Sequence, residues 1–64
     1  DDNYLAVCYA KLGDIETAKE YARRMMAAQP GISIASSAAN EPFYETADLE
    51  AFLDGMRLAG FPEE

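Results

Sequence analysis

The stretch Tyr9-Ala10-Lys11-Leu12-Gly13-Asp14-Ile15-Glu16-Thr17-Ala18 decides how the chain is organised. Leu12 closes an apolar-periodic run, and Gly13 follows it where a left-handed residue ends a helix. Asp14 comes next, with a short carboxylate able to accept from the first N–H groups of a following helix. The stretch therefore predicts a helix end, a tight turn and a helix start, which together make a helical hairpin.

Working outward, residues 2–12 predict the first helix. Leu5, Cys8, Tyr9 and Leu12 fall at i, i+3, i+4 and i+7, one helical face. Tyr4, Val7, Cys8 and Lys11 make a second stripe with the same spacing. Every residue from Tyr4 to Ala10 is apolar, and a helix apolar nearly all round expects neighbours nearly all round. Cys8, on the face shared with Leu5 and Leu12, is expected to be a buried, inert thiol. Asp1, Asp2 and Asn3 suit the positive end of the helix dipole.

Residues 15–28 predict the second helix. Ile15, Ala18, Ala22, Met25 and Met26 form its inward stripe, and Glu16, Lys19, Glu20, Arg23 and Arg24 its outer side. The small Ala18 and Ala22 allow close approach of a partner helix. Acids lead and bases trail, as the macrodipole prefers, and Glu20 with Arg24 makes an i, i+4 pair. Pro30-Gly31 stops the helix.

Beyond it, Ser33 is placed to cap a short helix from Ile34 over residues 33–40, and Asn40-Glu41-Pro42 breaks it. Phe43 and Tyr44 are expected to pack back onto the hairpin. Residues 46–59 predict the last helix, capped by Glu45 or Thr46, with Asp48 and Glu50 in its first turn. Leu49, Phe52, Leu53 and Met56 share a face. Gly60 is the expected C′ residue, Phe61 folds back, Pro62 ends the element, and Glu63 and Glu64 fray. The fold class is all-α: a hairpin over residues 1–31, then a short helix and a capping helix over 32–64, as one structural unit.

Sixty-four residues make one small domain at most. A core of that size seldom supplies more than roughly 3–5 kcal/mol without staples. The single cysteine cannot form an intrachain disulfide, and without histidine a structural zinc site is not expected. The expectation is a piece of something larger, or a chain that oligomerises. A net charge of −7 argues against nucleic acid and anionic membrane surfaces as partners. No apolar run approaches the roughly 20 residues of a membrane span, and the lone thiol points to a reducing, cytoplasmic setting.

The chemistry-bearing residues are sparse. Without histidine no Ser–His or Cys–His nucleophile can be built. Glu41, Glu45, Asp48 and Glu50 crowd one region, which reads as a loop and a helix N-terminus favouring acids rather than as a cation site. The four glycines are isolated, so no phosphate-cradling loop is present. No catalytic residue, cofactor or metal is expected, and the chain is read as non-enzymatic.

Residues 3–31 resemble a tetratricopeptide repeat, a helix–turn–helix unit of about 34 residues. The resemblance rests on Leu5, Ala6, Tyr9, Gly13, Ala18 and Pro30 in gapless register. Ala22 stands where the family usually has a large aromatic, and Met25 where it usually has alanine. The remainder adds Gln29-Pro30-Gly31-Ile32-Ser33-Ile34-Ala35, Glu41-Pro42-Phe43, Ala47-Asp48-Leu49-Glu50 and Gly55-Met56-Arg57-Leu58-Ala59-Gly60-Phe61-Pro62-Glu63. These are similar to the C-terminal end of bacterial proteins in which tetratricopeptide repeats follow a class III adenylate/guanylate cyclase domain or a DNA-binding regulator domain. The resemblance implies a non-catalytic protein-interaction and scaffolding module whose partners are the preceding repeats and a protein or peptide ligand. The alternative is a purely structural cap without a ligand.

In such arrays the first helices line a groove, and the groove positions here resemble Asn3, Val7, Ala10 and Lys11. Val7 and Ala10 interrupt the pattern of a carboxylate clamp, so an apolar or helical ligand is expected. Tyr4 joins this candidate surface, because Tyr4, Val7 and Cys8 form a stripe that a preceding repeat would cover. Left bare, that stripe is expected to make the chain pair with a second copy.

Overall fold

The computed structural model describes residues 2–40 and 46–64, which fold as an all-α, four-helix unit without strands among them. The helices are α1 (Asp2–Lys11), α2 (Ile15–Ala28), α3 (Ile34–Asn40) and α4 (Thr46–Ala59). The expected anchors Phe43 and Tyr44, the breaker at Glu41-Pro42, and Asp1, Glu41 and Glu45 lie outside the described residues.

The turn at Gly13 forms as its residues dictate. Gly13 has φ +89°. Its N–H donates to the Ala10 carbonyl at 3.1 Å, and the Asp14 N–H donates to the Tyr9 carbonyl at 2.9 Å. These paired bonds satisfy carbonyls that a helix end otherwise strands. The Asp14 carboxylate then accepts from the Thr17 N–H at 3.3 Å and opens α2. The end of α4 repeats the device. Gly60 has φ +97°. The Gly60 and Phe61 N–H groups donate to the Arg57 and Met56 carbonyls, each at 3.1 Å. Phe61 is thereby turned back into the core beside Met56, and both are buried.

α3 begins on a reciprocal serine cap. The Ser36 N–H donates to Ser33 Oγ at 3.0 Å and the Ser33 N–H donates to Ser36 Oγ at 2.9 Å. The two remaining N–H groups of its first turn find unexpected partners: Ile34 donates to the Pro62 carbonyl at 2.8 Å and Ala35 to the Glu63 carbonyl at 2.9 Å. The expected fraying of Glu63 is therefore corrected. Its backbone completes the start of α3, and its carboxylate takes the Arg57 Nε proton at 3.0 Å. That bond and the Glu63 charge raise the Arg57 guanidinium above its ordinary value, with Asp54 adding to the effect.

The core is shared by all four helices. Ala6, Val7 and Ala10 of α1 meet Ala18 and Ala22 of α2, and the larger buried side chains, Ile34, Phe52, Met56 and Phe61, come from the second half. Met25, Met26 and Ile15 pack half-buried at the margin, as the α2 stripe predicts. Arg23 and Arg24 stop short of the last turn of α2, which holds no base. Both pair instead with Glu20, Arg24 through Nε at 3.7 Å.

Two outcomes test this arrangement. Gly13 and Gly31 both have open space where a Cβ would stand, but only Gly13 has positive φ. Gly13→Ala should lower stability by about 1–2 kcal/mol, and Gly31→Ala should stay within about 0.5 kcal/mol, both by urea unfolding. Ala18 has no solvent exposure, whereas Ala27 is exposed. Ala18→Leu should cost about 1–3 kcal/mol, and Ala27→Leu should leave the midpoint nearly where it was.

Candidate interaction surface

α1 carries the candidate site, and its orientation is set by what can approach it. The interior side is Asn3, Ala6, Val7 and Ala10, small or medium side chains that let helices close in from two directions. α2 covers one flank and α4 the other. On the α4 flank, Val7 sits in a notch made by Gly55. A Cβ added at Gly55 would lie 2.6 Å from Val7 Cγ1. Beside the notch, the Tyr4 ring meets the Phe52 ring with centroids 5.1 Å apart and planes tilted 52°.

Of the groove positions expected on α1, Asn3, Val7 and Ala10 are buried, Val7 against Gly55 of α4 and Asn3 beside a cavity bordered by Met25 and Ser36. Tyr4, 40% exposed, and Lys11 remain at the surface. They border a shallow, largely apolar groove of about 320 Å³ whose opposite wall is Asp48, Ala51 and Phe52 of α4. The structure thus brings Tyr4, Val7 and Lys11 together, with Val7 as the floor, and leaves Asn3 and Ala10 out of the groove.

The expectation of a bare Tyr4–Val7–Cys8 stripe is corrected in the same way, since α4 covers its middle. The burial of Cys8 is also corrected: the thiol is exposed. With Leu5 and Leu12 it forms the outer face of α1, at i, i+3 and i+7. Leu12 is 79% exposed and Leu5 40%. Tyr9, the fourth member of the predicted stripe, turns toward α2 and stacks on Tyr21 with centroids 5.6 Å apart and planes 8° from parallel. The Arg24 guanidinium lies 5.2 Å from the centre of the Tyr21 ring. The outer face of α1 is therefore continuous with an aromatic pair that ends in a cation.

The α4 wall was missed in the sequence, although Gly55 signalled it. A glycine inside a helical pattern marks a close approach by another element. Among the described residues no group of three or more acidic or thiol side chains gathers as a cation site. Asp48 and Glu50 lie in the first turns of α4, and Glu41 and Glu45 are outside the described residues. No helix among the described residues is long and apolar enough to cross a membrane. Comparison with known proteins finds no match among family models, curated proteins or solved structures.

The notch gives a directional test. A helix-interior Gly→Ala change ordinarily stabilises by up to about 1 kcal/mol. Gly55→Ala should do the reverse and cost about 1–3 kcal/mol, because stiff, β-branched Val7 cannot yield. The double variant with Val7→Ala should be less destabilised than the two single losses combined, with a coupling of about 0.5–3 kcal/mol in a thermal-melt cycle. Purely additive losses would contradict the notch.

Proposed function

We propose that the chain is a non-catalytic protein-interaction and scaffolding module of the tetratricopeptide kind, the C-terminal end of a helical array in a larger cytoplasmic bacterial signalling protein, with a cyclase domain as the favoured effector. The observation that carries this reading is the outer face of α1. Leu5, Cys8 and Leu12 stay exposed although the neighbouring sides of the helix are covered by α2 and α4. Exposed apolar residues scattered singly need no explanation, but Leu5 and Cys8 on α1 and Leu12 just past its end lie on one side and form a patch that suits another helix. In an array that neighbour is the preceding repeat, because stacked units bury a continuous core.

A second reading has its own support. α4 packs against Val7, one of the groove positions on α1, as a purely structural cap would. The two readings share the outer face as a contact and differ in whether any ligand beyond the neighbouring helices is bound.

The shared contact can be read out in the chain by itself. With its outer face uncovered, the 64-residue chain should self-associate at high concentration, so that the mass from sedimentation equilibrium rises with loading. Leu5→Lys with Leu12→Lys should abolish the rise while leaving the helical circular dichroism unchanged. A wild-type chain that stays monomeric at millimolar concentration would remove the outer face as an interface and, with it, the proposal.

A further inference from the structure

α3 is held differently from the other helices. It has seven residues, far below the roughly 12–15 at which isolated helices become even marginal in water. Its sequence, Ile34-Ala35-Ser36-Ser37-Ala38-Ala39-Asn40, buries only Ile34 and Ser37. Among the helices it packs on α4 alone. Even there a groove of about 470 Å³, walled by Ala38, Leu53 and Arg57, runs beside the contact. Toward the hairpin it faces a polar cavity of about 170 Å³ bordered by Asn3, Met25, Gln29, Ser36, Ser37 and Asn40. Thin packing on both sides marks a unit that opens before the rest.

What completes α3 is distant in sequence. The Pro62 and Glu63 carbonyls accept the Ile34 and Ala35 N–H groups, two of the donors a helix start cannot satisfy internally. The segment that supplies them has its own anchor and clasp. Phe61 is buried beside Met56, behind the Gly60 turn, and the exposed Arg57 side chain reaches both Glu63 at 3.0 Å and Asp54 at 2.8 Å. Detaching residues 62–64 would break two backbone hydrogen bonds and one exposed ion pair while Phe61 keeps its place in the core.

We propose that residues 62–64 are a releasable strap: when they lift away, α3 loses its helix, α1, α2 and α4 stay folded, and the polar cavity between α3 and the hairpin opens. The device is an order–disorder switch in which the backbone of one segment decides the helicity of another. It does not depend on the reading of the α1 face. What the opening uncovers is the buried Asn3 side chain, which borders the cavity on the hairpin side beneath α3.

Amide hydrogen exchange, resolved by residue, tests the strap. In the intact chain at low denaturant, the α3 amides from Ile34 to Asn40 should exchange roughly tenfold or more faster than the buried Ala18 and Ala22 amides of α2, through an opening with weak denaturant dependence. In a chain ending at Phe61, the Ser37 to Asn40 amides should speed up by a further factor of about ten or more, while Ala18 and Ala22 change less than about twofold. Three results would overturn the proposal. One is α3 and α2 amides exchanging together in the intact chain. Another is α3 protection unchanged without residues 62–64. The third is all helices losing protection together in the shortened chain, which would make the segment a global staple.

Discussion

Everything in this chain depends on how closely α4 can lie against α1. The notch at Gly55 receives Val7, and that contact lets the second half of the chain deliver its large side chains to a core the hairpin cannot fill. The hairpin's fully buried members are alanines, Ala6, Ala18 and Ala22, with Val7 and Ala10 beside them. Alanine permits close helix crossing but removes little apolar area from water per residue. Phe52, Met56, Phe61 and Ile34 supply the bulk, and all lie beyond residue 31. Small residues on one half set the distance, and large residues on the other half set the energy. A chain with a single cysteine and no histidine has no covalent or zinc-based substitute for that division of labour.

The local signals were legible because each acts through its own backbone. Gly13 and Gly60 close helices in the left-handed conformation that only glycine adopts without strain, Asp14 and Ser33 open helices through side-chain oxygens, and Pro30-Gly31 stops α2. The bounds of α2 and the end of α4 follow from these residues. The orientation of α1 did not follow from its pattern. A helix apolar from Tyr4 to Ala10 has no polar side to mark the outside, so periodicity favours no face. Size decided it instead. Ala6, Val7 and Ala10 fit between crossing helices at close range, whereas Leu5 and Leu12 would hold them apart. Cys8 followed its neighbours outward, against the usual burial of a free thiol.

The strap was illegible for a different reason. Its bonds to α3 run from main-chain carbonyls, which every residue carries, so no side-chain type announces them. Glu63 and Glu64 look like a solvated acidic end by composition. What placed them was the Gly60 turn together with the burial of Phe61, which aims the following backbone at the open start of α3. The seven-residue α3, too short to nucleate alone, exists because two separate segments close its first turn: Ser33 from before it and residues 62–64 from beyond α4.

Charge follows the same division. Residues 1–31 hold five acids against four bases, and residues 32–64 hold seven acids against one, Arg57. The near-neutral half also presents Leu5, Cys8 and Leu12 outward, and the acidic half presents Asp48, Glu50, Asp54 and Glu64. An apolar face with little net charge tolerates close approach by another helix, because nothing must be desolvated without a partner. A face carrying several like charges resists such approach, since each carboxylate buried there would need its own cation. The two halves are therefore suited to opposite neighbours, one to a packed helix and the other to water. That difference in charge runs along the same division of the chain that places small side chains in one half of the core and large ones in the other.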